Sequence, residues 1–341
     1  MKKSSQFIAE SVFNTNVHYT KLQNETKILF FKCLNENRSV EYFTKQVDKI
    51  WENIDHKFMN KQIEQLKEMV NSNNVEMALN KGRLDNKYKP EENFEIKNEY
   101  FKLVPESQFN IIEKKFANQV IKNYNRTSKT IEKVDKDTYL QKKINTYDKE
   151  IDQVIAYFNN DGEVVRHVQA STYLSMIHNT NLTRAGWNQT MIDSDNMGID
   201  LFIIPYHPFS CIDCYYYQNR ILTKNEVERI IGADAQEQEG DIIHPNCKCT
   251  LALYWDSSQI QDARYNTEEV EKMYNIRQKV NSLTLEKTKV WTDMKIQKEL
   301  GNEEAYDKLN QKRNAINSKI RDLKEELPTA GLQKQVVAIN R

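Results

Sequence analysis

The sequence predicts an α+β protein that is predominantly helical, in which long helices flank a small sheet module carrying a Cys/His cluster. Only 8 of its 341 residues are glycine and 6 are proline, well below the usual shares of about 7% and 5%. This scarcity of helix-breaking residues favours long helices. Four of the five cysteines lie between His207 and Trp255, where short β-branched and aromatic runs alternate with turn residues, as is typical of a small sheet.

Charge and hydropathy exclude several classes of protein. The chain has 49 basic and 49 acidic residues, so it has no net charge to attract nucleic acid or an anionic membrane surface. The longest apolar runs, 28–31 and 201–206, are too short to cross a bilayer, and the N-terminus shows no apolar signal segment. We expect no membrane contact, and synthesis in a reducing host cytoplasm, where thiols stay free.

Composition divides the chain into three regions: residues 1–160, 161–256 and 257–341. In the first, helical, region apolar residues recur at steps of three and four from Ser39 to Val70, which predicts one long amphipathic helix ending near Asn71. A lysine-rich helical stretch follows at 106–157. Acidic residues interleave with its lysines, so a solvated face is the simpler interpretation, with local DNA contact as the alternative.

The middle region, 161–256, predicts a mixed α/β module. A helical pattern covers 165–192, with Gly186 as a point where the helix could break. A strand is expected within 199–206, and Thr223 with Glu226 forms a capping box for a short helix. Residues 251–255 alternate as in a half-buried strand.

The last region, 257–341, predicts two antiparallel helices joined by a turn at Gly301. Met273, Ile276, Val280 and Leu283 form a near-heptad line before the turn, and a second line follows it. Such a hairpin either packs on the core or offers a coiled-coil surface to a partner.

The four grouped cysteines predict a structural zinc site. Cys211-x-x-Cys214 and Cys247-x-Cys249 are two pairs separated by a loop, the usual sequence form of a closed tetrahedral site. His244 and His207 are substitute ligands, since either could replace one thiolate. The cofactor predicted here is therefore structural Zn²⁺.

Two other interpretations of these cysteines stay open. In the first they are small apolar core residues, with a disulfide as a variant, although a Cys-x-Cys bridge would be strained. In the second Cys247 is a nucleophile and His244 its base, but the sequence shows neither a third orienting group nor an oxyanion element.

The order of these motifs resembles one known family. A Cys-x-x-Cys turn, a short strand, an acidic loop and then His244-Pro-Asn-Cys247-Lys-Cys249 leading into an apolar strand are similar to the phage head morphogenesis (Mu F-like) minor capsid proteins. Lys248 stands where an arginine is more usual in that family. The resemblance covers about 161–332 and leaves the first 150 residues unmatched.

The resemblance implies a virion protein without enzymatic activity. A member of that family is a minor head protein that acts in head morphogenesis at the portal vertex. Its partners would be the portal protein and other capsid components, and it would contact DNA locally. It would be packaged in the virion and associated with DNA ejection. It would have no small-molecule substrate.

The alternative from another class is a zinc-dependent hydrolase or nuclease. Four cysteine ligands would close the coordination sphere and leave no position for water. The sequence also has no His-Glu-x-x-His element.

Overall fold

Long helices make up most of the fold, and a small sheet lies among them, as the sequence predicts. A computed structural model describes residues 2–51, 54, 56–80, 100–158, 164–205, 214, 217–218, 221–230, 247–254 and 267–326. The helices are α1 (Lys2–Asn35), α2 (Val40–Trp51), α3 (Lys57–Asn80), α4 (Glu106–Ile131), α5 (Lys136–Tyr147), α6 (Ala170–Met197), α7 (Lys224–Ile230), α8 (Thr267–Glu299) and α9 (Glu303–Glu325). The strands are β1 (Gln153–Phe158), β2 (Val164–Gln169), β3 (Leu201–Ile203), β4 (Ile221–Thr223) and β5 (Ala252–Tyr254).

An aromatic cluster joins helices α1, α2, α4 and α5. Phe30 of α1 meets the rings of Phe43, Tyr124 and Tyr147 edge-on, at centroid distances between 5.2 and 5.8 Å. Phe43 stacks on Tyr124 at 3.9 Å. These rings are buried, and edge-to-face pairs add specific attraction to the burial of their area. The cluster therefore fixes α2 and α4 against α1.

The single long helix predicted from Ser39 to Asn71 begins where expected, but it is interrupted and its predicted end is wrong. The chain forms two helices, since α2 ends at Trp51 and α3 begins at Lys57. α3 then continues through the asparagines to Asn80. Asn71 and Asn74 do not stop it because both side chains donate to the Asp193 carboxylate of α6, at 2.7 Å each. Tertiary contact overrides their weak helix propensity.

The first residues predicted as helix in the middle region are instead a strand. β2 pairs antiparallel with β1, with Gln153 opposite Gln169 and Phe158 opposite Val164. Val165 and Val168 fit a helical spacing in the sequence, but β-branched residues favour a paired strand when a partner is present. The predicted boundary between 160 and 161 falls between the two strands, and the three-region division stays a prediction.

The predicted small sheet is confirmed. β3 is central and pairs antiparallel with β4 on one side and with β5 on the other. Phe202 lies opposite Leu222 and Leu253, and all three side chains are buried. The Thr223 and Glu226 capping box forms at the start of α7, where Thr223 N donates to Glu226 Oε2 at 2.8 Å. The strand at 251–255 is not half-buried as expected, because Leu251 to Leu253 are all covered.

Helix α6 lies at the centre of the molecule and is buried on nearly every side. It packs against α1, α3 and β5. The break predicted at Gly186 does not occur. A Cβ at Gly186 would lie 3.5 Å from Leu66 Cδ2 of α3, which is an ordinary van der Waals distance. The glycine therefore marks a close helix contact inside a continuous helix.

We expect Gly186→Ala to stabilise the protein. Alanine favours helix over glycine by about 1 kcal/mol, and the added methyl group meets Leu66 and Val70 at 3.5 and 3.9 Å without a clash. Chemical denaturation of both proteins should show a gain of about 0.5–1 kcal/mol in the free energy of unfolding. A loss of stability would mean that α3 and α6 are packed more tightly than these distances indicate.

His178 of α6 makes the fold sensitive to acid. Its Nε2 lies 2.9 Å from Gln62 Oε1, and burial lowers its pKa from 6.5 to about 3. The unfolded chain therefore binds the proton more readily, so stability present above about pH 6.5 is lost as the pH falls. Between about pH 7 and pH 5 the loss from this group is about 2 kcal/mol. Urea titrations should show a shallower pH dependence in His178→Gln, and an unchanged slope would contradict this assignment.

The predicted C-terminal hairpin is confirmed. α8 and α9 join at Gly301, which has φ of 71°, a conformation that favours glycine. Ile276, Val280, Val290 and Met294 of α8 pack with Ile316 and Ile320 of α9. The end of α8 also contacts the N-terminal helices, because buried Lys27 of α1 pairs with Asp293 at 2.8 Å. Within the parts of the chain that the structure covers, no helix has the length and apolar character needed to cross a membrane.

Candidate metal centre

Three of the four predicted zinc ligands converge on one point. The sulfur atoms of Cys214, Cys247 and Cys249 all lie within 4.8 Å of one another. The Sγ atoms of Cys214 and Cys247 are 3.6 Å apart. All three are free thiols and are almost fully buried, with at most 3% exposure. Residues more than thirty positions apart in the chain thus form one compact sulfur cluster.

The three cysteines belong to an apolar core that also contains side chains of α6 and of the small sheet. Trp187, Phe202 and Leu253 are among the buried residues that surround the cysteines. Cys214 begins a turn in which Tyr217 N donates to Cys214 O at 3.1 Å. Cys247 and Cys249 lie on the extended segment 247–251 that leads into β5. One turn and one extended segment therefore present the sulfur atoms to each other.

Helix α6 holds the extended segment through its carbonyl groups. Asn179 and Thr183 both donate to Cys247 O, at 2.9 and 3.0 Å. Trp187 Nε1 donates to Cys249 O at 2.9 Å, and Thr190 Oγ1 donates to Leu251 O at 3.2 Å. Alternate carbonyls of an extended chain point the same way, so one helix face can bind all three. These contacts fix the backbone that carries two of the sulfurs.

Side chains on the opposite side of α6 bind the backbone of a second segment, at Phe101 and Val104. The Asn181 side chain accepts from Val104 N and donates to Val104 O, at 2.7 and 2.9 Å. Asn188 does the same with Phe101, at 2.7 Å for both bonds. The segment 100–105 is thus bound along the helix. Buried polar groups are satisfied here by backbone, which makes α6 a rigid support for the cluster.

The sulfur geometry fits a tetrahedral metal. Zn–S bonds of about 2.3 Å at tetrahedral angles place neighbouring sulfurs about 3.8 Å apart, close to the 3.6 Å between Cys214 and Cys247. Burial alone is expected both for a metal site and for cysteines that merely fill the core. Convergence of three sulfurs on one point is what a metal requires, and the three cysteines could hold a metal ion.

Hydrogen-bond donors also point at the sulfurs. Cys249 N donates to Cys247 Sγ at 3.5 Å, and Gln218 Nε2 lies 3.9 Å from Cys249 Sγ. Such donors stabilise thiolates and orient metal ligands. The contact with Cys214 lowers the pKa of the Cys249 thiol, but the contact with Cys247 and burial outweigh it, so the pKa is well above its ordinary value. A cation at the centre would reverse that preference.

The other candidate residues are not part of this described cluster. Cys211, His207 and His244 lie outside the described residues, so the fourth ligand stays a prediction, as does the pairing of His244 with Cys247 as base and nucleophile. Cys33 is buried alone in α1, where burial raises its pKa to about 11. It is therefore a core residue, separate from the sulfur cluster in sequence.

The supporting residues on α6 were missed by sequence reasoning. Asn179, Thr183, Trp187 and Thr190 recur at steps of three and four, a spacing that places them on one helix face. Polar residues at such a spacing are usually solvent-exposed, so the pattern looks like an ordinary surface. The near absence of charge distinguishes it from a surface helix. Between 170 and 192, Arg184 is the one charged side chain other than histidine.

The chain was compared with family models, with curated proteins and with solved structures. No family model, no curated protein and no solved structure matches it.

Proposed function

We propose that the chain is a minor head protein of a tailed phage, which acts in head morphogenesis at the portal vertex and is incorporated in the virion. The observation that carries the proposal is the His244-Pro-Asn-Cys247-Lys-Cys249 element, the most specific mark of the Mu F-like minor capsid proteins. The convergence of Cys247 and Cys249 with Cys214 supports it, because the motif then serves one site.

The metal proposed for this site is zinc, with a structural role. Thiolate-rich tetrahedral sites select zinc among the common divalent ions. Cys211, three residues before Cys214 in the sequence, is the proposed fourth ligand. A site with four thiolates has no open position for water, so we propose that the chain is not an enzyme. The metal would instead join the turn at Cys214 to the segment that leads into β5.

The proposed partner is the portal protein, contacted through the long helices. Ile111 on α4 and Leu285 on α8 are half-exposed large apolar side chains, at 55% and 50% exposure. A protein partner can bury such apolar side chains, whereas they offer nothing to a polyanion. The zero net charge gives no long-range attraction to DNA. Both features favour a protein interface.

The lysine-rich stretch at 106–157 is a weaker candidate for DNA contact. Lys143 is buried and paired with Glu150, so it is not available to bind phosphate. Lys114 and Lys115 are exposed on α4. This stretch is the alternative surface if the portal proposal fails.

Co-expression with the portal protein of the same phage tests the proposal. We expect a complex that survives nuclease treatment and about 0.5 M salt, where the Debye length is only about 4 Å and DNA bridging is screened. Ile111→Lys and Leu285→Lys, which place a charge in each apolar surface, identify which helix docks. Lys308→Glu at an exposed pair on α9 is the control for a surface charge change. A complex lost on nuclease treatment would contradict portal docking and favour DNA binding through Lys114 and its neighbours.

A further inference from the structure

A cleft lies between the two helices of the C-terminal hairpin, far in sequence from the cysteine cluster. Its volume is about 400 Å³, and Lys287, Thr288 and Trp291 of α8 face Arg313 and Asn317 of α9 across it. No carboxylate is among these lining residues. The cleft therefore combines two cations, two neutral polar groups and one aromatic ring.

One cation of this cleft has an unused hydrogen-bond donor. Within the described chain, Arg313 Nε is buried and has no hydrogen-bond partner. A buried guanidinium N–H without an acceptor is costly, so an acceptor supplied by a ligand would stabilise it. Glu286, the carboxylate next to Lys287 in sequence, pairs instead with Lys312 at 2.9 Å. Neither this carboxylate nor any other is among the residues that line the cleft.

A third cation adds to this local field. Burial lowers the pKa of Lys324, and the charge of Lys287 lowers it further. Like charges that interact repel each other. The lining of the cleft is therefore positively charged although the whole chain is neutral.

The aromatic side of the cleft is Trp291, which is 41% exposed. Lys295 Nζ lies 3.8 Å from the centre of its ring, so a cation already covers part of the indole. A tryptophan that borders both a basic cleft and solvent offers a flat surface on which a planar group can stack.

We propose that this cleft binds single-stranded nucleic acid, with a backbone phosphate at Arg313 and Lys287 and a base stacked on Trp291. Arginine binds phosphate oxygens through its planar fork of donors. Stacking on an aromatic ring is available to every base, so the binding tolerates different sequences. Asn317 adds an amide group for the sugar and phosphate oxygens. The proposal does not depend on the zinc site or on the proposed capsid function.

An acidic peptide fits the cleft less well. It would satisfy Arg313 and Lys287 but would leave the half-exposed Trp291 without a planar partner. A nucleotide supplies both the anion and the ring within the length of one cleft. The combination of charge and aromatic surface therefore favours nucleic acid.

Fluorescence anisotropy of a short labelled oligothymidylate with the full-length protein tests this proposal. We expect Trp291→Ala and Arg313→Gln each to weaken binding about tenfold, since each removes one of the two recognition elements. Arg313→Gln and Lys287→Gln should each also reduce the slope of log affinity against log salt by about 0.7, the value for one phosphate contact on a single strand. Far-UV circular dichroism confirms that each variant is folded.

Two control variants match these changes elsewhere on the chain. Tyr42→Ala removes another exposed ring with a cation over it, Arg38 at 5.2 Å, and Lys308→Gln removes an exposed charge from α9. Both should bind the oligonucleotide like the wild type. The proposal is overturned if the wild type does not bind it, if the cleft variants bind as tightly as the controls, or if inorganic phosphate or polyglutamate competes as well as unlabelled oligothymidylate.

Discussion

Cys249→Ser is expected to be the most destabilising conservative substitution in the chain. Structural zinc supplies on the order of 10 kcal/mol of folding free energy in small modules, and loss of one thiolate removes a large part of it. We expect the free energy of unfolding to fall by at least about 3 kcal/mol, and the bound metal to be lost. Urea denaturation followed by tryptophan fluorescence measures the change, because Trp187 packs in the same core as the cysteines.

Cys33→Ser is the matched control for this prediction. Cys33 is as buried as Cys249 but lies in α1, so the same exchange of sulfur for oxygen costs only the burial of a hydroxyl group, about 1–3 kcal/mol. A chelator should destabilise the wild type and Cys33→Ser equally and should leave Cys249→Ser unchanged. Suppose instead that the two variants lose equal stability and that the chelator does not change the stability of the wild type. The cysteines would then serve as apolar core residues.

The second large effect is expected at Lys27, which joins three parts of the fold. Its Nζ lies 2.9 Å from Asp148, at the end of α5, and 2.8 Å from Asp293 of α8. Burial lowers the pKa of Lys27, but the two carboxylates outweigh it and the pKa is raised. Lys27→Met removes the cation and leaves Asp293 unpaired in a mostly buried position. Breaking a buried ion pair in this way costs about 3–5 kcal/mol, measurable by urea denaturation.

The pH dependence of this variant provides a further check. Burial raises the pKa of Asp293 even in the wild type, and loss of the Lys27 charge raises it more. The folded state then binds a proton more readily than the unfolded chain, so stability rises as the pH falls through the folded pKa. The penalty of Lys27→Met should therefore shrink in mild acid. Lys308→Met, at an exposed pair, should change stability little at any pH, and a similar loss there would contradict the buried-pair explanation.

Local patterns explain the parts of the fold that the sequence predicts well. The hairpin of α8 and α9 follows from two lines of apolar residues and from Gly301, because each signal lies within a few helical turns. The capping box at Thr223 and Glu226 is local in the same way. Cys214, Cys247 and Cys249 were identifiable as a group because their spacing is a ligand signal whatever surrounds them.

Long-range contacts explain what the sequence did not predict. Asn71 and Asn74 look like a helix stop until Asp193 is placed beside them, 119 or more residues away. α6 has polar residues on opposite faces, such as Asn179 and Asn181, and a lone helix of that kind would be solvated. Each of these side chains instead binds the backbone of a distant segment. The spacing of residues within α6 gives no indication of these contacts. β2 also depends on a partner strand, although that partner, β1, is its neighbour in the chain.

The most direct test of the proposed zinc site is the metal content of protein purified without added metal, together with X-ray absorption at the zinc edge. The account predicts one zinc per chain with four sulfur neighbours at about 2.3 Å, from Cys211, Cys214, Cys247 and Cys249. A zinc with three sulfur neighbours and one nitrogen neighbour would mean that His244 or His207 takes the place of Cys211, and the site would still be a structural metal centre. Zinc below about 0.2 equivalents, or a zinc without sulfur neighbours, would contradict a structural metal centre at this cluster.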